Sequence, residues 1–200
     1  MQLRLAKPSD AEAIAAIYDA SNVGNPQSFM TKLGRSFLAR YYRIVLSARG
    51  SVAVCAISET GAIMGFASGT LDAFEQIAEL RRHRVSLAWS ALPRLVRSPQ
   101  LFKAMRARST ATDNAFIVSE GARWEYWAWD PQFRSTNGAM GLHRAWISVV
   151  RSMGVTRVSL EINDSDEKLA FLHGSQGAKL VRKYSTPEGL ERRILQYNLK

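Results

Sequence analysis

The sequence predicts one mixed α/β domain over residues 1–200, a mostly antiparallel sheet with a central parallel strand pair and helices on both faces. Three observations predict it. First, 200 residues with 46% hydrophobic content suit one well-filled core. Second, residues 51–57 and 62–68 are apolar runs separated by Glu59-Thr-Gly61, the pattern of an antiparallel hairpin. Third, residues 124–162 read as strand, loop, helix and strand. A right-handed crossover of that kind sets its two strands parallel.

Taken in order, residues 3–6 alternate as a short strand. Ser9 and Glu12 have capping-box spacing ahead of Ala11, Ile14, Ile17 and Tyr18, which recur at helical period. Residues 22–27 hold Gly, Pro and Asn and read as a loop. Residues 29–47 predict one helix with Phe29, Leu33, Phe37, Tyr41 and Val45 on one face. After the hairpin, residues 72–89 predict a helix and 99–107 a second, with Pro93 and Pro99 interrupting between them. Residues 109–121 are polar and read as a loop.

In the strand at 124–130, strict alternation sets Trp124, Tyr126 and Ala128 on one face and Glu125, Trp127 and Trp129 on the other. Pro131 stops it. A polar loop over 132–137 leads into a helix over 138–153, with Leu142, Trp146, Val149 and Met153 at helical spacing and Gly154 as its C-terminal glycine. The strand at 155–162 comes next. The loop and the helix N-terminus then lie at the carboxyl end of the first strand, where amides and the helix dipole favour an anion.

Charge and cysteine content bound the function classes. Lys+Arg 27 against Asp+Glu 17 gives +10. Eight of the basic residues, Arg81, Arg82, Arg84, Arg94, Arg97, Lys103, Arg106 and Arg108, stand between residues 71 and 109 against three acids. Such a balance suits nucleic acid, an anionic membrane surface, or an acidic small molecule or carrier protein. No zinc-ligand spacing, stacking motif or arginine-rich tail accompanies it, which argues against nucleic acid. The region over 81–108 could instead touch a membrane surface peripherally. No apolar run is long enough to span a bilayer, no signal peptide is visible, and Cys55 is the only cysteine, so a cytoplasmic protein with an inert buried thiol is expected. A homodimer is compatible with all of this.

The run Trp129-Asp-Pro-Gln-Phe-Arg-Ser-Thr-Asn-Gly-Ala139 resembles the signature of the GNAT superfamily of N-acetyltransferases, which opens on a hydrophobic residue, Asp and Pro and ends in a glycine-rich turn. The helix to Gly154, the strand after it and Asp166-Glu-Lys fall in step with that family without gaps. The resemblance implies a GNAT-like splayed parallel pair and acyl transfer from acetyl-CoA or another acyl-CoA, with no metal. The acceptor it implies is the primary amine of a small molecule. A longer acyl chain on an acidic acyl carrier protein, and a non-catalytic binding module, are alternatives.

The resemblance also assigns roles. Arg134, Ser135, Thr136, Asn137, Gly138 and Ala139 would cradle the pyrophosphate, with Asn137 standing where the family has glycine. Asn tolerates the left-handed backbone such a loop would need. Trp127 and Trp129 would lie beside the pantetheine arm. Glu125 matches a general-base glutamate, and packing among Trp127, Trp129 and Tyr126 would raise its pKa. Aligned by Gly177, His173 occupies the place of the family's thiolate-protonating tyrosine, and a histidine can give a proton near neutral pH.

Overall fold

The computed structural model describes residues 1–25, 28–106, 121–133, 136–186 and 189–200, and of Thr136 the backbone alone. Among the described residues, seven strands form one sheet in the order β1-β2-β3-β4-β5-β7-β6. They are β1 (Gln2–Leu5), β2 (Ser51–Ile57), β3 (Ile63–Thr70), β4 (Arg123–Trp129), β5 (Arg157–Asn163), β6 (Lys179–Ser185) and β7 (Glu191–Asn198). All neighbours are antiparallel except β4 and β5. The expected parallel pair is therefore present. The final hairpin β6–β7, which no sequence pattern announced, pairs back onto β5.

One face of the sheet carries α1 (Ala11–Ser21), α2 (Phe29–Lys32), α3 (Arg35–Ser47), α4 (Ala73–Arg82), α5 (Arg84–Arg97) and α6 (99–106). Its core is Ile14, Leu38, Tyr42, Phe66 and Ala91 with their neighbours. On the other face lie α7 (Thr136–Ser152) and α8 (Glu167–Ser175). Leu142, Trp146 and Val150 of α7 pack there on Val158, Leu160 and Tyr197.

Several expectations change in detail. The single helix over 29–47 is two, because Gly34 at φ 91 turns the chain into the left-handed region that only glycine enters cheaply. The helix over 72–89 breaks at His83, and Pro93 ends no helix. Instead α5 runs through it to Arg97, with Ala91 and Leu95 buried on either side. Ser9 does not cap α1. It lies in a short 3₁₀ turn in which the Asp10 carboxylate accepts the Lys7 amide at 2.7 Å and the Arg4 guanidinium at 2.7 Å. Residues 109–120 of the expected polar loop are outside the described residues.

Cys55 is fully buried, with its thiol pushed up to about 12 by burial, which suits the inert role expected of it. No helix among the described residues is long and apolar enough to cross a membrane, and they hold no cluster of metal-ligating side chains.

Candidate active site

Strands β4 and β5 are partners over two residue pairs alone, Arg123↔Ser159 and Trp124↔Leu160. Beyond them β4 continues to Trp129 on β3, and β5 continues to Asn163 on β7. The two strands thus part, leaving a gap open at their carboxyl ends. Asp130 donates its amide to Met64 at 2.8 Å, which makes that pair a bonded one in the β3–β4 ladder. By the alternation of an antiparallel ladder, the backbone groups of Trp127 and Trp129 turn the other way, into the gap.

A β-bulge re-aims the side chains of β4. Ser68 pairs with Tyr126 but Gly69 pairs with Trp124, so Glu125 is an extra residue with no partner on β3. This corrects the strict alternation expected of the strand. Trp124, Trp127 and Trp129 share the α7 face, with Trp124 and Trp127 ring centroids 6.2 Å apart. Tyr126 and Ala128 belong to the opposite core. Room for the bulge comes from Gly69, where a Cβ would lie 2.2 Å from the Arg123 carbonyl and 2.5 Å from the Trp146 ring.

Glu125 consequently does not sit among the indoles. Its Oε1 accepts from Arg123 at 2.6 Å and its Oε2 from Gln76 of α4 at 2.8 Å, and its side chain is 3% exposed. Burial alone would lower the Arg123 guanidinium, but the charge and hydrogen bond of Glu125 outweigh it and hold Arg123 above its ordinary value. On the same face, Tyr41, Tyr42 and Tyr126 form an edge-to-face aromatic cluster with Tyr18 of α1. Their hydroxyls are pushed upward, first by burial and further by the Glu125 charge. The end of α1 and the loop after it line a shallow depression with Asp19, Asn22, Asn25 and Thr31.

The anion loop differs from expectation. Arg134 and Ser135 lie outside the described residues. Thr136 and Asn137 are already helical, so Asn137 needs no left-handed backbone, and no described non-glycine residue has one. Asn137 is exposed, Gly138 is buried and Ala139 is half-buried. These small residues form the first turn of α7, at the carboxyl end of β4. Trp129 reaches back over the turn between, donating its Nε1–H to the Phe133 carbonyl at 2.8 Å. The Trp127 Nε1–H, in contrast, is buried with no partner among the described residues.

His173 is buried in α8, and its Nδ1 lies 2.7 Å from the Tyr197 hydroxyl. That hydroxyl also lies 3.2 Å from Nε2 of His143, a buried residue of α7 to which the sequence pattern assigned no role. Burial lowers both rings to about 4, and each adds its own smaller influence: His173 lowers His143 further, whereas Asp166 raises His173 slightly. At neutral pH His173 is thus uncharged and not poised near neutrality as expected. The Trp124 and His143 ring centroids lie 4.4 Å apart, and His143 Nδ1 is buried with no partner among the described residues. His143 sits at the helical spacing of the α7 core stripe, next to Leu142. A histidine on that apolar stripe was the signal that could have found it.

The backbone groups of Trp127 and Trp129 thus turn into the gap, and Gly138 and Ala139 lie in the first turn of α7. The structure places Glu125 on the far face of β4 and His173 in the core beneath Trp124, 5.9 Å away between ring centroids.

No family model and no curated protein sequence matches the chain. Solved structures do match. A Desulfovibrio desulfuricans protein assigned to the GNAT family of acetyltransferases superposes with a TM-score of 0.63 at 11% identity, over 100% of this chain and 99% of that one. The ribosomal-protein-S18-alanine N-acetyltransferase of Escherichia coli gives 0.60 at 13% identity, over 100% and 94%. A Salmonella typhimurium protein described as an acetyltransferase, solved with acetyl-CoA, gives 0.58 at 15% identity, over 100% and 94%.

Proposed function

The chain has the fold of the GNAT N-acetyltransferases, and from that fold we propose that it transfers an acetyl or other short acyl group from coenzyme A to the primary amine of a small molecule. One observation carries the reading: β4 and β5 separate at the same end at which α7 begins. A gap edged by backbone amides suits the amide-bearing arm of a thioester donor. The positive end of a 17-residue helix beside it suits a pyrophosphate. Gly138 and Ala139 offer little side-chain bulk where phosphate and backbone would touch.

In this reading the amine attacks the thioester carbonyl directly in a ternary complex. A C–N bond forms, the C–S bond breaks, and the carbonyl oxygen is held by the strand amides of Trp127 and Trp129. The attacking nitrogen loses its second proton to the departing sulfur, so that coenzyme A leaves as the thiol. Glu125 receives the ammonium proton on the α1–α3 face, with Gln76 and Arg123 fixing its carboxylate. The acceptor would approach past the loop after α1, where Asp19 complements a cationic amine. In this reading His173, buried beneath Trp124 with its Nδ1 on the Tyr197 hydroxyl, would act toward the departing sulfur as a neutral hydrogen-bond donor.

Acetyl-CoA titrated calorimetrically should bind with micromolar affinity. Coenzyme A release should occur on addition of one amine from a panel of amino sugars, polyamines, amino acids and aminoglycosides. A protein that binds no acetyl-CoA would end this reading.

A further inference from the structure

Helix α5 is apolar on two sides. Ala91 and Leu95 face the core with Leu87 packed against it, while Val85, Trp89, Leu92 and Val96 stand 64, 68, 40 and 72% exposed. The outer four recur at i, i+4, i+7 and i+11, so they form one stripe about 16 Å long. Phe102 of α6 is also 51% exposed. A helix with two apolar faces ordinarily has both covered. The outer stripe has no cover among the described residues.

Charge decides what covers it. From Arg84 to Arg106 the chain has five basic residues and no acidic one. Arg84, Arg94, Arg97 and Lys103 are all exposed. The nearest preceding acid, Glu79, is already bonded to Arg82 at 2.8 Å and His83 at 3.1 Å. A second copy of this chain, itself +10, would meet the patch with like charge. The occupant must be anionic and must accept a row of unshaped apolar side chains.

We propose that α5 lies on an anionic lipid surface, with Val85, Trp89, Leu92 and Val96 entering the headgroup–acyl boundary and the flanking arginines meeting lipid phosphates. Trp89 stands mid-stripe, and an indole favours that boundary. Arg84 and Arg97 have stems long enough to keep their charge at phosphate level while the stripe is immersed. Apolar burial and phosphate attraction then act together, which neither a neutral bilayer nor a purely basic helix would provide.

The test uses the full-length protein in co-sedimentation with unilamellar vesicles of phosphatidylcholine alone, or of phosphatidylcholine and phosphatidylglycerol in about equal parts. The protein should bind the anionic vesicles and not the neutral ones, and less tightly as salt shortens the Debye length. Trp89→Gln with Val96→Gln should weaken binding about tenfold or more, and Arg84→Gln with Arg97→Gln comparably. Both pairs are exposed, so their thermal unfolding should match that of the parent. Arg182→Gln, an exposed change on β6, should leave vesicle binding unaltered. Failure to bind anionic vesicles overturns the proposal. So does binding that ignores the Trp89 and Val96 changes, which would report net charge alone. An association with itself or with an acidic protein that these two changes abolish, without vesicle binding, would assign the stripe to that partner instead.

Discussion

Replacing Glu125 by Gln keeps the shape of a side chain whose two oxygens are both bonded, but removes its capacity to take a proton. Turnover at neutral pH should fall by about 10²–10⁴-fold, with acetyl-CoA affinity unchanged. Steady-state kinetics against direct titration checks the split, and equal turnover would reduce Glu125 to a structural partner of Arg123. At His173 the expectation concerns pH. Because burial holds the ring near 4, His173→Ala should lower the rate without moving any inflection between pH 6 and 8. An inflection lost from that interval would mean that the ring titrates near neutrality after all. Gly69→Ala tests the bulge. Its methyl would collide with the Arg123 carbonyl and the Trp146 ring, so it should destabilise the fold by about 3 kcal/mol, read as a lower denaturant midpoint.

Helix α7 joins core and site. Its inner stripe includes Leu142, Trp146 and Val150, and the Trp146 Nε1–H donates to the Val52 carbonyl at 2.9 Å, tying the helix to β2. Its first turn faces the proposed anion site, so stability and binding can be separated there. Asn137→Asp places a negative charge on an exposed position of that turn. The helix dipole favours this charge by about 0.3–1 kcal/mol, so unfolding should occur at the same or a slightly higher temperature. Acetyl-CoA should bind about tenfold or more weakly, because carboxylate and pyrophosphate repel. Stability and affinity falling together would mean that the phosphate lies elsewhere.

Over the whole molecule, the buried His143–Tyr197–His173 group sets a response to acid. Both imidazoles are near 4 in the fold, whereas an unfolded histidine is near 6.5. The unfolded chain therefore binds more protons between these values. The stability contributed by the neutral rings is fully present above about pH 6.5 and is lost as pH falls toward 4, up to about 3 kcal/mol per ring. Thermal unfolding from pH 7 down to 4.5 should show the loss, and His173→Gln should make the slope shallower. An unchanged slope would mean that the ring is already charged in the fold.

Periodicity and turn chemistry were enough to read the βαβ unit, the hairpin and the glycine that ends α7, because these depend on neighbours in sequence. They also reached the resemblance at Trp129–Ala139. The bulge at Glu125 was not legible, since an extra residue is defined only against its partner strand, and Gly69 admits it from more than fifty positions away. The same limit hid His143, whose meaning comes from Tyr197 on β7, |i−j| = 54. Gly34, at φ 91, and His83 divided the expected helices, and Pro93 failed to break one because Ala91 and Leu95 anchor it on the core. Sequence alone thus determined the βαβ unit, the β2–β3 hairpin and the C-terminal glycine of α7, since local backbone preference carries them. Tertiary structure alone decided that the Glu125 carboxylate points to α4 and away from the indoles, and that His173 is neutral. Strand pairing and burial are properties of contacts distant in sequence, which no local pattern encodes.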